Sequence, residues 1–130
     1  MQRALAVLLA AAVLVPVAGA LQQRGLAFGR SGGNIRPFRV VVTTDGDVRV
    51  TGAASVGRMH LTRVQLGELN RLAATGRFEK LPRTTRCPGA LPDVATSFIR
   101  VGPTTVSVHG TCVAEFQRLW AALVRAVKLS

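Results

Sequence analysis

The chain has 130 residues and a formal net charge of +11, set by 17 Lys and Arg against 6 Asp and Glu. That length holds one small domain and no more. The Arg residues are spread without a basic run, and with five Phe, one Trp and no Tyr there is no aromatic interleaving, which argues against a nucleic-acid footprint.

Met1-Gln2-Arg3 is a short basic start, and residues 4–15 form an apolar run too short to span a bilayer comfortably. Pro16 breaks the run, and Ala18-Gly19-Ala20 has the small-x-small pattern of a cleavage site. The expectation is a signal peptide over 1–20, removed after Ala20, and a single α+β domain over 21–130. Losing Arg3 with it takes the net charge from +11 to +10. No second apolar run follows, so no transmembrane segment is expected after signal removal. The product is read as a monomer, secreted or periplasmic, on the outer side of the cell envelope. An exported chain with two cysteines, Cys87 and Cys112, implies one disulfide.

Residues 26–30 read as a short strand, with Leu26 and Phe28 on one face. Ser31-Gly32-Gly33-Asn34 is a turn by composition. Residues 38–52 form the clearest hairpin, β-branched on both arms with Asp45-Gly46 between them. A three-residue loop, Thr44-Asp45-Gly46, gathers Phe38, Val40, Val42, Val48 and Val50 on one face. A two-residue loop scatters them. The longer loop is therefore expected, with Gly46 left-handed.

Thr62-Arg63-Val64-Gln65 is a capping box, and Leu61 with Leu66 has the spacing of a hydrophobic staple. A helix follows, burying Leu66, Leu69, Leu72 and Ala73 and ending at a left-handed Gly76. Phe78 and Leu81 return to the core, and residues 83–92 are a proline-stiffened loop anchored by Cys87. A second hairpin, 94–101 with 104–109, turns at Gly102-Pro103. An even loop faces Ile99 with Val106 and an odd loop faces Phe98 with it, and Phe98 is taken as the inward residue. Residues 113–129 form the last helix, with Phe116, Leu119, Trp120, Leu123 and Val127 as its apolar stripe and Thr111 as its cap. The expected architecture is a four-stranded antiparallel sheet in the order ββαββα, with residues 26–30 as an optional fifth strand and both helices on one face.

Catalytic constellations are poor. The acids are Asp45, Asp47, Glu68, Glu79, Asp93 and Glu115; Asp45 and Asp47 suit a turn, Glu68 an exposed helix face and Glu115 a helix dipole, and no pair of the six is spaced for acid–base work. Ser97, His109 and Asp93 could be drawn as a triad, but no nucleophile elbow accompanies them. Cys87, Cys112, His60 and His109 match no zinc spacing. The chain reads as a non-enzyme without catalytic residues, metal or cofactor.

Arg30-Ser31-Gly32-Gly33 after a short strand, the capped Leu61-Thr62…Leu66…Leu69…Leu72 helix, Phe78 with Leu81-Pro82, Pro92-Asp93 before a strand and the closing apolar helix form a pattern. It resembles the emfourin-like family of small bacterial protein inhibitors of thermolysin-type metallopeptidases, which includes the protealysin inhibitor, and related exported domains. Asn34-Ile35-Arg36-Pro37 stands where that family tends to carry Phe-Ala-Gly, and Phe98 stands where a Tyr is common. The resemblance implies an exported binding domain that occludes a peptidase cleft with Arg30, Ser31, Gly32, Gly33, Asn34 and Arg36, its partner being a protein. The alternative expectation is an envelope protein that binds an anionic polymer or a protein partner through an Arg-rich face. Salt separates the two, since binding to a charged polymer weakens steeply as salt rises.

Overall fold

Strand β1 (Leu26–Ser31) carries Leu26, Ala27 and Phe28 with almost no exposure, as suits a strand flanked by others on both sides. In the computed structural model, which describes residues 23–130, it lies inside the sheet and pairs with β2 (Phe38–Val42) on one side and β5 (Thr96–Val101) on the other. The remaining elements are β3 (Val48–Gly52), α1 (Arg63–Thr75), a 3₁₀ turn (Phe78–Lys80), β4 (Thr84–Arg86), β6 (Thr104–His109) and α2 (Ala114–Val127). The expected signal peptide over 1–20 and its cleavage point lie outside the described residues.

The sheet has six strands in the order β3-β2-β1-β5-β6-β4. All neighbours are antiparallel except β4 and β6, which are parallel. This corrects the expected four- or five-stranded antiparallel sheet and its ββαββα order. The first strand is no optional edge: it joins the two hairpins, which share no hydrogen-bonded ladder. The sixth strand comes from the loop after Pro82. Its Thr84 and Thr85 suit a pleated backbone, and Cys87 donates its N–H to the His109 carbonyl at 2.8 Å, which holds the segment alongside β6.

Alternation along the strands puts Leu26, Phe28, Val40, Val42, Val48, Ile99, Val101, Val106 and Val108 on one face, all buried. They form one core with Leu66, Leu69 and Ala73 of α1 and with Phe116, Leu119, Trp120, Leu123 and Val127 of α2, so both helices cover that face. The stripe expected on α2 is the stripe that is buried. Phe28 meets Trp120 edge-on with ring centroids 5.3 Å apart, a favoured aromatic geometry.

Local chemistry explains most of the boundaries. The first hairpin takes the three-residue loop, with Val42 opposite Val48 and Val40 opposite Val50, and Gly46 at φ 91°. Thr62 and Gln65 close the capping box reciprocally at 3.1 and 2.9 Å. The second hairpin takes the even loop: Ile99 pairs with Val106 and is fully buried, and Phe98 points to the opposite face. The turn decides this. Gly102 at φ 55° followed by Pro103, whose ring holds φ near about −65°, makes a two-residue turn with Gly first.

Three smaller expectations also change. The left-handed residue after α1 is Arg77 (φ 51°), while Gly76 stays right-handed and still donates to Leu72. The residue capping α2 is Val113, without a side-chain bond. Thr111 is excluded from that role because the neighbouring Cys112 is bridged to Cys87 and gives its N–H to Cys87 Sγ, so the turn is shaped by the disulfide. Leu72 is only half-buried. The buried position belongs to Asn70, whose side chain accepts from Arg24 N–H at 3.1 Å and donates to the carbonyls of Arg24 and Leu66.

Candidate binding site at the disulfide-linked loops

Three loops leave the same end of the sheet: the β1–β2 loop, the β4–β5 loop and the β6–α2 turn. The Cys87–Cys112 disulfide ties the second to the third. The first is docked on the second through glycine. Gly33 sits at φ 59°, and a Cβ built there would lie 2.3 Å from the Asp93 carbonyl oxygen and 2.9 Å from Ala95 N. Only a residue without a Cβ packs so closely in that conformation. Asn34 then donates its N–H to the same Asp93 carbonyl at 3.1 Å. The two loops singled out from the sequence, one for its Arg-Ser-Gly-Gly motif and one for its prolines and cysteine, therefore form a single surface.

His109 supports that surface from beneath. Its Nε2 lies 2.9 Å from the Leu91 carbonyl and its Nδ1 lies 3.3 Å from Thr96 Oγ1. A proton on Nε2 lets the ring donate to the Leu91 carbonyl, while Nδ1 meets the Thr96 hydroxyl, which can either donate or accept. His109 looked isolated in the sequence, since its partners lie 13 and 18 residues away.

The expected site residues divide into two groups. Ser31 ends β1 opposite Thr96. Gly32, Gly33, Asn34 and Arg36 are exposed on the loop, and Ile35 between them is 41% exposed. Arg30 is exposed as well, but its side chain turns away from the loop. It lies on the helix side of the sheet, its guanidinium 4.8 Å from the centre of the Trp120 ring and its Nε donating to Ser97 Oγ at 3.1 Å. Such a cation–π contact is worth about 0.5–1 kcal/mol at an exposed position. Arg30 thus anchors the loop's root, and the tips are apolar. Leu91 and Val94, 62% and 42% exposed, join Ile35 on the neighbouring loop. Their exposure could not be read from the sequence, because an isolated aliphatic in a loop gives no sign of which way it points.

The triad drawn from Ser97, His109 and Asp93 is not assembled. Ser97 pairs with Val108 and points to the helix side, while His109 pairs with Thr96 on the other face. The two sulfurs a zinc site would need are bonded to each other. No helix among the described residues is long and apolar enough to cross a membrane. Comparison of the chain with family models, with curated proteins and with solved structures finds no match.

Proposed function

We propose that this is an exported, non-catalytic binding protein that blocks the cleft of a thermolysin-type metallopeptidase with its disulfide-linked loop pair. The observation that carries the reading is the docking of Gly33 on the Asp93 carbonyl, which turns two loops into one rigid ridge tipped by Ile35, Leu91 and Val94. Exposed aliphatics on a pre-ordered loop are what a cleft can bury at low entropic cost. The resemblance to emfourin-like inhibitors supports the choice of target. Export is supported by the apolar leader and by the disulfide, a bond that persists in oxidising compartments.

The mechanism would be occlusion. The ridge fills the substrate channel, and the backbone at Gly32, where an added Cβ would meet nothing within 4 Å, approaches the cleft wall. Arg36 pairs with acidic groups at the rim, and Arg30 holds the ridge to Trp120. The test is inhibition of purified thermolysin by the chain over 21–130, read from peptide hydrolysis. Inhibition that persists at about 0.5 M salt, where exposed charges are screened, and that is lost in I35D/L91D supports the reading. Absence of inhibition, or inhibition that the double substitution leaves unchanged, overturns it.

A further inference from the structure

The six strands contain five Arg and not one Asp or Glu. Arg30 turns to the helix side. By register the other four, Arg39, Arg49, Arg86 and Arg100, project from the face that neither α1 nor α2 covers. Arg49 and Arg100 share one cross-strand row, three strand spacings or about 14 Å apart. Arg39 lies in the next row, beside Phe98. Val41 and Ala27 lie between Arg49 and Arg100, and hydroxyls flank the cations: Thr51 beside Arg39, Thr105 beside Arg100, and Ser31, Thr96 and Ser107 in the neighbouring rows.

We infer that this open sheet face is a second binding surface, independent of the loop ridge, and that its ligand is a flexible phosphodiester polymer without bases. The charge complementarity is one-sided, since no carboxylate of the strands neutralises the Arg row. A guanidinium fork matches the two free oxygens of a phosphodiester, and the flanking hydroxyls of Thr51 and Thr105 supply further donors. The single aromatic on the face argues against bases. Phe98 lies flat on Gly29, where a Cβ would come within 2.8 Å of its ring, and Arg39 lies 5.6 Å from its centre on the face. It therefore offers no bare platform, and a base-binding groove needs successive ones. Among the described residues the large exposed hydrophobics lie elsewhere, so the strands present no wedge for a bilayer.

The experiment measures binding of labelled poly(glycerol phosphate) across a salt series. R39E/R49E/R100E is compared with R63E/R71E/R118E, which reverses three exposed Arg on the helices and changes net charge equally. The sheet-face triple is expected to weaken binding at least tenfold more than the helix triple and to reduce the salt slope by about two to three, at about 0.7–0.9 per lost phosphate contact. Thermal melts confirm that both triples fold, and R49Q/R100Q provides a milder version of the same comparison. Equal losses in the two triples, or no binding at about 50 mM salt, overturn the inference. Tighter binding to single-stranded DNA, polygalacturonate or phosphatidylglycerol vesicles than to poly(glycerol phosphate) overturns the ligand assignment.

Discussion

Gly32 and Gly33 are adjacent, share a left-handed backbone and differ in what surrounds them. A Cβ at Gly32 meets open space, whereas a Cβ at Gly33 meets the Asp93 backbone at 2.3 Å. Gly32→Ala is expected to cost only the dihedral strain, about 1–2 kcal/mol. Gly33→Ala is expected to cost more, about 2–3 kcal/mol, and to separate the loops. Urea denaturation midpoints of the two variants check the order, and equal values would sink the docked ridge. A second residue-scale effect lies at the far end of β1. The Arg24 guanidinium bonds the Glu79 carboxylate and, with weaker help from Arg83 and Lys80, holds its pKa below the ordinary value. Because the folded-state pKa is the lower one, the pair's contribution is present above the unfolded pKa and is lost as pH falls through the folded value. In an NMR titration the Glu79 midpoint should rise when Arg24 is replaced by Ala. Both side chains are solvent-exposed, so the effect on global stability is expected to be small.

At the scale of elements, α2 and the disulfide share the work of holding the loop end. α2 is buried along its whole stripe but has no side-chain cap, since its first turn follows directly from the bridged Cys112. Closing a loop of 25 residues stabilises by roughly 3.5 kcal/mol in the chain-entropy view. C87S/C112S should lose up to about that much in chemical denaturation, and amide exchange should quicken first in β4 and residues 87–95. α1 depends instead on its own cap. Thr62→Ala removes the hydroxyl that receives Gln65 N–H and should cost about 1 kcal/mol in a thermal melt. β4 is three residues long, and it survives as a parallel edge because Cys87 and Arg83 bond the backbone of β6 on either side of it.

Across the whole molecule, the two surfaces use opposite physics. The loop ridge is apolar at its tips and pre-ordered by Gly33, His109 and the disulfide. The open sheet face is cationic, and its affinity for a charged polymer depends on counterion release. Inhibition by the ridge and binding by the sheet should therefore separate cleanly. I35D/L91D should abolish the first and spare the second, and R39E/R49E/R100E should do the reverse. A variant that removes both at once would show the two surfaces to be one. The strands contribute five of the chain's 17 Lys and Arg and none of its six acids, which lie in turns, loops and helices.

Much of this was legible from neighbouring residues. The α2 stripe, the Thr62–Gln65 box, the three-residue loop at Gly46 and the Cys87–Cys112 pairing all rest on spacing or turn chemistry that acts within a short stretch of chain, or on there being only two cysteines. The place of β1 between the hairpins, the parallel β4, the outward Phe98 and the retreat of Arg30 onto Trp120 were decided only by the tertiary structure. An alternating strand declares that it has two faces, but not which strand will lie beside it or which face a helix will cover. Those choices are made by partners tens of residues away: Arg30 by Ser97 and Trp120, and Gly33 by the backbone of Asp93. The chain's own order thus set the local pieces and the charge. Which loops meet, and which face of the sheet stays open to a ligand, came from packing the apolar face of the sheet under two helices, which leaves Arg39, Arg49, Arg86 and Arg100 in water.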